Sequence, residues 1–367
     1  MTDLPPMRVA DRIGRVQRAL EDAECDALVV THRTNIRYLS GFTGSAGVLL
    51  ISGSAAPLLV TDGRYEEQAA GQIAAAGSTT KVAVGRTVDA QRGLVVDELA
   101  RATRIGLEAE HVSWAEQGRY AEWFPAAELH PTTGIVEDRR CRKDAGEVAR
   151  IEAACAIADA ALDAVIPLLE ERPTEVAFAR ALDEEMRRRG ADDVSFPTIV
   201  ATGPNGSRPH HEPGPTVLGR GDLVVIDFGA LVDGYHSDMT RTIPVGGLAA
   251  IDDTQRRMLE VVTAAQAAGV AAVGAGRPIK DVDAACRAVI DEAGWGDAFV
   301  HGTGHGVGLD IHEAPGVSSS STATLLDGHV VTVEPGVYLP GHGGVRVEDT
   351  VLVTLDGCRP LTCAPKP

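Results

Sequence analysis

Five side chains in the second half of the sequence have the types and spacing of a metal site. Two of them, Asp227 and Asp238, lie eleven residues apart, the first at the end of an apolar run and the second on a returning segment. Carboxylates at facing strand positions repel each other unless a cation lies between them. Three more candidate ligands follow: His305, Glu334 and Glu348. Four carboxylates and one imidazole on strand-like segments predict a site for two divalent metal ions.

Each carboxylate also has a purely structural interpretation. Asp227 and Asp238 would then be a turn acid and a strand-end cap, and Glu348 would form a surface ion pair with Arg346, two positions away on the same strand face. Glu334 follows an apolar strand run, where a buried glutamate without a cation is costly. The residues alone favour a ligand role for Glu334, leave both interpretations open for Asp227 and Asp238, and favour the surface ion pair for Glu348.

Histidines are concentrated in the same part of the chain. Eight of the eleven lie after residue 200, and His301, His305 and His312 fall within twelve positions. The glycine-rich run around His305 matches neither the dinucleotide-binding nor the P-loop spacing. Glycines there would instead let the backbone approach a neighbouring element closely and leave the imidazole uncovered. This density favours a shared site over unrelated structural roles.

The elements that must position these side chains fall into two predicted domains. Strand and helix patterns interleave over roughly the first 135 residues, which is typical of a small α/β domain. We find no ligand-dense cluster in that region and interpret it as a scaffold or assembly domain. A charged segment at 137–143 marks the junction, so the predicted domains are 1–137 and 138–367.

The second domain is predicted to be α+β. Asp144 and Glu147 form a capping-box pattern that opens a long alanine-rich helix, and two further helices are expected at about 253–273 and 278–293. The Asp233-Gly234 dipeptide predicts a tight hairpin between the two acids of the first pair.

Composition excludes several classes of function. The chain has 367 residues, 44% hydrophobic and 23% charged, with a formal net charge of −18. That charge disfavours nucleic acid and anionic membranes as partners. The alanine-rich stretch from Met258 to Gly276 is interpreted as a core helix and not as a membrane span. The amino-terminal segment shows no secretory signal and the six cysteines form no C-x-x-C pair, so a cytoplasmic location with reduced thiols is expected.

These motifs together resemble the aminopeptidase P/prolidase group of the pita-bread metallopeptidases. The likeness rests on five blocks in order: IVATGPNGSRPHHEP, DFGALVDGYHSDMTRT, GTGHGVGLDIHEAP, TVEPGVY and VRVEDT. In addition, NIRYLSGFTGSAG and VTDGRYEEQA look like the creatinase-type amino-terminal domain of the same group. The resemblance implies a pita-bread catalytic domain. It also implies hydrolysis of the Xaa-Pro bond at the amino terminus of dipeptides or short peptides.

The resemblance also implies how the five ligands are shared. Asp227 would bind one metal, His305 and Glu334 would bind the other, and Asp238 and Glu348 would bridge both. Hard oxygen donors favour Mn²⁺ for such a site, with Co²⁺ and Zn²⁺ as alternatives.

Four further residues receive roles from the same likeness. His210, in preference to its neighbour His211, would act near the substrate or in proton transfer. His312 would be a second catalytic histidine that lines the site. Arg346 would face the substrate or support the ligands, and His301 would line the substrate site.

The same patterns leave two alternatives to Xaa-Pro hydrolysis, and the resemblance implies an oligomeric state. Methionine aminopeptidases share the five-ligand pattern, although the extra amino-terminal domain speaks against that enzyme. A metal-free binding protein on the same fold is the other rival, which the intact ligand set disfavours. The resemblance further implies a homodimer in which each amino-terminal domain narrows the active-site mouth of its partner. Cleavage of dipeptides alone and cleavage of longer peptides both stay open.

Overall fold

The computed structural model describes residues 4–53 and 55–366, and the chain divides into two compact units. Of the described residues, 6–140 form one unit, and 141–366 together with Leu4 and Pro5 form the other. The division falls inside the charged segment 137–143. The first three residues of the amino-terminal segment, which shows no secretory-signal pattern, lie outside the described part of the chain.

The Pro6–Arg140 unit is an α/β domain built on one mixed sheet. Its strands are β1 (Ala27–Val30), β2 (Gly47–Ser52), β3 (Leu58–Thr61), β4 (Lys81–Val84), β5 (Arg104–Glu108) and β6 (Glu128–Thr132). Its helices are α1 (Arg12–Asp22), α2 (Arg33–Ser40), α3 (Glu66–Ala75), α4 (Val88–Glu98), α5 (Trp114–Trp123) and α6 (Glu137–Arg140). The strands stand in the order β4-β3-β2-β1-β5-β6, with β1 antiparallel to β2 and parallel to β5.

Sequence patterns predicted most of this unit, and the two main omissions have physical causes. The strand patterns at 47–52, 81–84 and 104–108 in the sequence predict β2, β4 and β5 with the bounds that the structure has. Strand β6 was missed because it contains Pro131, which is tolerated here since β6 is the edge of the sheet. Helix α2 was missed because it is short and carries no side-chain cap; it ends at Gly41, whose φ of 81° is readily adopted only by glycine.

The unit that begins at Cys141, which the family resemblance predicts to be catalytic and which we call the catalytic unit, combines helices with several small antiparallel sheets. Its helices are α7 (Ala145–Val165), α8 (Glu175–Arg188), α9 (Asp253–Ala272) and α10 (Ile279–Glu292). Its strands are β7 (Asp193–Val194), β8 (Ile199–Thr202), β9 (Leu223–Phe228), β10 (Ala230–Val232), β11 (Tyr235–His236), β12 (Met239–Pro244), β13 (Gly304–Gly306), β14 (Glu313–Val317), β15 (Val330–Val333), β16 (Gly336–Leu339), β17 (Gly343–Arg346), β18 (Asp349–Thr354) and β19 (Gly357–Pro360).

Two apolar cores hold the sheets between two pairs of helices. Helices α7 and α8 cover the sheet β12-β9-β8 with a core that includes Leu162, Phe178 and Ile226. Helices α9 and α10 cover the sheet β14-β13-β15-β18-β19 with a core that includes Met258 and Val333. The predicted capping box at the start of α7 is confirmed, because the side chain of its N-cap residue accepts hydrogen bonds from the first-turn N–H groups.

The predicted hairpin between the first two acids is also confirmed. Asp233 and Gly234 have φ of 45° and 71° and connect β10 to β11. The chain then returns as β12, which pairs with β9 so that Thr240 faces Asp227. In β9, Val224, Ile226 and Phe228 join the core under α7 and α8. Side chains alternate along a strand, so Asp227 points to the opposite face of this sheet.

Two smaller expectations concern membranes and thiols. Among the described residues, none of the helices combines the length and the apolarity that crossing a bilayer requires. The stretch interpreted as a core helix lies largely in α9, which buries Met258, Leu259 and Val262. None of the six cysteines forms a disulfide in the described part of the chain, and four of them are buried.

Candidate metal centre and active site

All nine residues that the sequence predicted for the site line one cavity of about 470 Å³ in the catalytic unit. These residues are His210, Asp227, Asp238, His301, His305, His312, Glu334, Arg346 and Glu348. Apolar side chains that the sequence did not single out lie on the same cavity wall: Phe196, Pro197, Ile199 and Ile311. The lining of the cavity therefore combines charged and apolar side chains.

Ends of strands from different sheets bring the five candidate ligands together. Asp227 lies in β9, Asp238 directly precedes β12, and His305 is the middle residue of β13. Glu334 directly follows β15, and Glu348 lies between β17 and β18. Residues far apart in the sequence therefore meet because strands pair within each sheet and because the sheets β12-β9-β8 and β14-β13-β15-β18-β19 pack together.

The strand predicted to run through Arg346 and Glu348 is interrupted. Strand β17 ends at Arg346, and β18 begins at Asp349. The backbone N–H of Glu348 instead donates to the carbonyl of Thr240, 3.1 Å away. Simple alternation was therefore the wrong reason to place Arg346 and Glu348 on one face, although both reach the cavity.

The imidazole of His305 is oriented as a ligand would be. Its Nδ1 lies 3.0 Å from the carbonyl oxygen of Gly306, which can only accept, so Nδ1 carries the hydrogen. Its Nε2 therefore presents a lone pair, 3.5 Å from Asp238 Oδ2 and 3.4 Å from Glu334 Oε1. Burial lowers the pKa of His305, which favours the neutral, metal-binding form.

The carboxylates of this wall are buried beside one another, which makes their charge costly. Burial raises the pKa of Asp238 well above its usual value, and repulsion from Glu348, Asp227 and Glu334 adds to the effect. Burial and the charges of Glu334 and Asp227 likewise raise the pKa of Glu348. Burial raises the pKa of Glu334 to about 7. Positive charge placed among these groups would remove that cost.

Two carboxylate oxygens on this wall fit a cation directly. Asp227 Oδ1 and Glu348 Oε1 are buried and accept no hydrogen bond from any described residue. A buried acceptor without a partner typically costs about 1–3 kcal/mol. In addition, one ligand atom each from Asp238, His305 and Glu348 lie within 4.8 Å of one another. Oxygen-rich donors with one imidazole suit hard or borderline divalent ions, so the residues present fit such a group.

A buried network joins Arg346 to His301 through Tyr338, a residue that the sequence analysis missed. Arg346 Nη2 lies 2.5 Å from Asp227 Oδ2, and Arg346 Nη1 donates to the hydroxyl of Tyr338 at 2.9 Å. His301 Nδ1 lies 2.7 Å from the carbonyl of Gly302, so it carries the hydrogen and Nε2 accepts from Tyr338 at 2.8 Å. Burial lowers the pKa of His301 to about 4, so this ring is neutral at pH 7.

Two threonines that the sequence analysis also missed hold the ligands in place. The hydroxyl of Thr240 donates to Glu348 Oε2 at 2.7 Å and accepts from Arg346 Nε at 3.0 Å. The hydroxyl of Thr332 donates to Glu334 Oε1 at 3.1 Å and accepts from the backbone N–H of His305, in the neighbouring strand β13, at 3.1 Å. A signal was available for Thr332, which stands two residues before Glu334 and hence on the same strand face.

The two histidines of the doublet have different surroundings. His211 Nε2 lies 2.9 Å from Glu175 Oε2, on a glutamate that is fully buried. His210 is exposed to the cavity and makes no hydrogen bond to the described residues. Across the cavity, the ring of His312 packs edge-on against His305, with centroids 4.3 Å apart. Burial lowers the pKa of His312, as does the nearby His305.

The glycine-rich run permits the close approach that the sequence predicted. A Cβ on Gly304 would lie 2.1 Å from the carbonyl oxygen of Thr332, and one on Gly306 would lie 2.3 Å from that of Ala314. Neither contact is tolerable for a larger residue. Strand β13 can therefore lie against β15 and β14 only with glycine on both sides of His305.

Comparison with known proteins identifies the family. Residues 149–355 match the model of metallopeptidase family M24, and residues 12–142 match that of the creatinase/prolidase N-terminal domain. The chain belongs to metallopeptidase family M24. It is therefore a hydrolase of the metallopeptidase class, and the predicted creatinase-like domain followed by a pita-bread catalytic domain is confirmed.

Members of this family resemble the chain over nearly its whole length. A Xaa-Pro dipeptidase of Pyrococcus furiosus is 35% identical, with 96% of this chain and 97% of that protein covered. The solved structure of a Xaa-Pro dipeptidase from Bacillus anthracis superposes with a TM-score of 0.91 at 36% identity, covering 98% and 99% of the two chains. The X-Pro aminopeptidase from Thermotoga maritima gives a TM-score of 0.86 at 33% identity, covering 96% and 99%.

Proposed function

We propose that this M24 metallopeptidase is a Xaa-Pro exopeptidase that uses two divalent metal ions, Mn²⁺ in the first instance. Its substrates would be dipeptides or short peptides with proline in the second position. The observation that carries the proposal is the wall of five donors, in which two carboxylate oxygens are buried without a hydrogen-bond partner among the described residues. The names of the dipeptidase and aminopeptidase relatives supply the substrate class.

The donor set divides between the two ions as the family likeness implies. Asp227 would hold one ion, His305 and Glu334 the other, and Asp238 and Glu348 would bridge them. Two such ions activate a water molecule and polarise the scissile carbonyl. Four carboxylates balance the charge of two divalent cations, so the wall does not repel the free amino terminus of a peptide.

The remaining polar groups would handle the substrate and the proton. The proline nitrogen must receive a proton before it can leave. His210 makes no hydrogen bond to a described residue, and His312 lies beside His305, so both are available to donate or relay that proton. His301 is neutral and accepts a hydrogen bond from Tyr338. It would therefore contribute its shape, and not a charge, to the substrate site.

Arg346 would position other residues of the site and contribute a positive charge to it. Arg346 is buried, and its guanidinium contacts both Asp227 and Tyr338. It therefore fixes one ligand directly, and through Tyr338 it fixes the neutral His301. A positive group at this point also offsets the negative charge of the ligand wall.

Methionine aminopeptidase activity is the alternative that shares the five-ligand pattern. The match of residues 12–142 to the creatinase/prolidase N-terminal domain favours the Xaa-Pro activity. The apolar wall of Phe196, Pro197 and Ile311 is also suited to a proline ring, although apolar contact alone does not exclude a methionine side chain.

A metal add-back experiment tests the proposal. Protein freed of metal with a chelator would be reconstituted with Mn²⁺, Co²⁺ or Zn²⁺ and assayed on Xaa-Pro, on Xaa-Pro-Xaa and on Met-Ala peptides. We expect no turnover without metal, full activity only after two ions per chain have bound at the catalytic centre, and cleavage of proline peptides only. Cleavage of Met-Ala in preference to Xaa-Pro would overturn the substrate assignment, and full activity with one ion would overturn the dinuclear one.

A further inference from the structure

The amino-terminal unit contains a second group of metal-ligating side chains, which corrects the sequence expectation that this region lacks one. His32, His111 and Glu137 each offer one ligand atom, and these atoms lie within 4.8 Å of one another. All three belong to the Pro6–Arg140 unit. None has a role in the peptidase chemistry proposed above, so an inference from them stands apart from it.

The distances between the ligand atoms of this group are close to those around a bound transition-metal ion. The imidazole rings of His32 and His111 are stacked, with centroids 3.7 Å apart and planes inclined by 3°. His111 Nε2 lies 3.1 Å from Glu137 Oε1. Ligand atoms around a tetrahedral zinc ion, each about 2.0–2.1 Å from the metal, are separated by about 3.4 Å. The nitrogen lone pairs of stacked rings run parallel, so one ion would be bound after the rings of His32 and His111 tilt out of the stack and their lone pairs converge.

Buried side chains hold both ends of the group in place, as outer partners do in metal sites. The fully buried amide of Asn35 donates to Glu137 Oε1 at 2.6 Å and to Glu108 Oε1 at 2.7 Å. Glu108 in turn accepts from the backbone N–H of His32 at 2.8 Å. Arg140 donates to the oxygen of the same amide at 2.9 Å, which fixes the orientation of Asn35.

The charges of the group suit a cation. Burial alone would raise the pKa of Glu137, but the hydrogen bonds from Asn35, from the backbone and from His111 outweigh it and lower that pKa, so the carboxylate is ionised. Two stacked rings repel each other when both are charged, whereas neutral imidazole is the form that binds metal. The side chains of His111 and Glu137 are 26% and 23% exposed, so an ion can reach them from solvent.

We propose that His32, His111 and Glu137 bind one transition-metal ion of the zinc class, at a site separate from the catalytic centre. Two imidazoles and one carboxylate are a usual ligand set for such ions, with solvent completing the coordination. The ion would tie together the residue before α2, the turn after β5 and the first residue of α6. Because a metal that binds only the folded chain stabilises it, this site would stabilise the amino-terminal unit.

Zinc stoichiometry in the full-length chain tests the proposal. Parent protein, His111→Ala and Glu137→Gln would be dialysed against micromolar Zn²⁺, and bound zinc would be counted by mass spectrometry of the metal. We expect each variant to bind one zinc fewer per chain than the parent. Glu137→Gln keeps an acceptor for Asn35, so it serves if His111→Ala fails to fold, as judged by circular dichroism.

The matched control is His130→Ala. His130 belongs to the same unit, but its Nδ1 lies 3.0 Å from an Arg104 guanidinium nitrogen and outside the proposed site. We expect His130→Ala to bind as much zinc as the parent. Parental zinc content in both test variants, or an equal loss in His130→Ala, would overturn the proposal. No substrate is present, so the result does not depend on which peptide the enzyme cleaves.

Discussion

The replacement Tyr338→Phe tests whether the buried network behind the ligand wall serves catalysis. Tyr338 is 5% exposed, and its hydroxyl accepts from Arg346 and donates to His301. Phenylalanine keeps the ring and its packing, so no cavity is created. The change therefore removes two hydrogen bonds and little else.

The expected cost follows from what each partner loses. Arg346 Nη1 keeps only a long contact, 3.5 Å, to the carbonyl of Pro209, so a charged N–H is left poorly satisfied in a buried place. An unsatisfied buried donor costs about 1–3 kcal/mol, and the lost bond to His301 adds about 1 kcal/mol. Together these amount to about 2–4 kcal/mol. Since 1.4 kcal/mol corresponds to tenfold, we expect kcat/KM to fall by roughly 30- to 700-fold if the network is needed in the transition state.

Steady-state kinetics on a Xaa-Pro peptide, with metal content measured in parallel, decides the question. The matched control is Tyr235→Phe, another buried tyrosine of the catalytic unit, whose hydroxyl donates to Glu147 at 2.9 Å and does not line the cavity. We expect the control to lose stability but to keep kcat/KM within about threefold, and both variants to retain their metal. Equal kinetic losses in the two variants, or a near-parental Tyr338→Phe, would refute the reasoning.

Three other predictions concern the metal ligands, the histidines and the assembly. Asp238→Ala or Glu348→Ala should abolish activity and stoichiometric binding of the second metal, because a lost bridge leaves two cations close together; near-normal turnover with two ions retained would contradict the bridging assignment. His210→Ala and His312→Ala should each lower kcat by roughly 10²-fold with metal content unchanged, and a larger effect from His211→Ala would show that the wrong member of the doublet was chosen. The full chain is expected to be a homodimer that prefers short Xaa-Pro peptides, as light scattering and peptide-length kinetics would report; a monomer that cleaves long and short peptides equally well would argue against that role for the amino-terminal domain.

Local sequence signals determined most of the secondary structure. The capping box at Asp144 and the turn at Asp233-Gly234 were correctly predicted, because each depends on neighbours within a few residues. Strand β6 was missed because a proline is acceptable there only at the edge of a sheet, and that edge position is a property of the whole sheet. Helix α2 was missed because it is short and carries no side-chain cap.

The sequence also determined which residues of the catalytic unit meet. All nine predicted site residues line one cavity, because their types carry chemistry that is costly to bury separately and because the order of five motifs is specific. Alternation along a strand did not explain Glu348, which lies in a break between β17 and β18. Its position depends on a hydrogen bond to Thr240, on a strand of another sheet.

Only the tertiary structure decided how the site is supported and where a second group of ligands lies. Tyr338 and Thr240 look like ordinary strand residues in the sequence, and their roles follow from distances to Arg346 that no local pattern encodes. His32 and His111 are 79 positions apart and read as isolated polar residues, yet β1 and β5 are adjacent parallel strands, so the chain segments that leave them meet. Periodicity reports what a residue does within its own element, whereas contacts between distant segments arise only when sheets and helices pack.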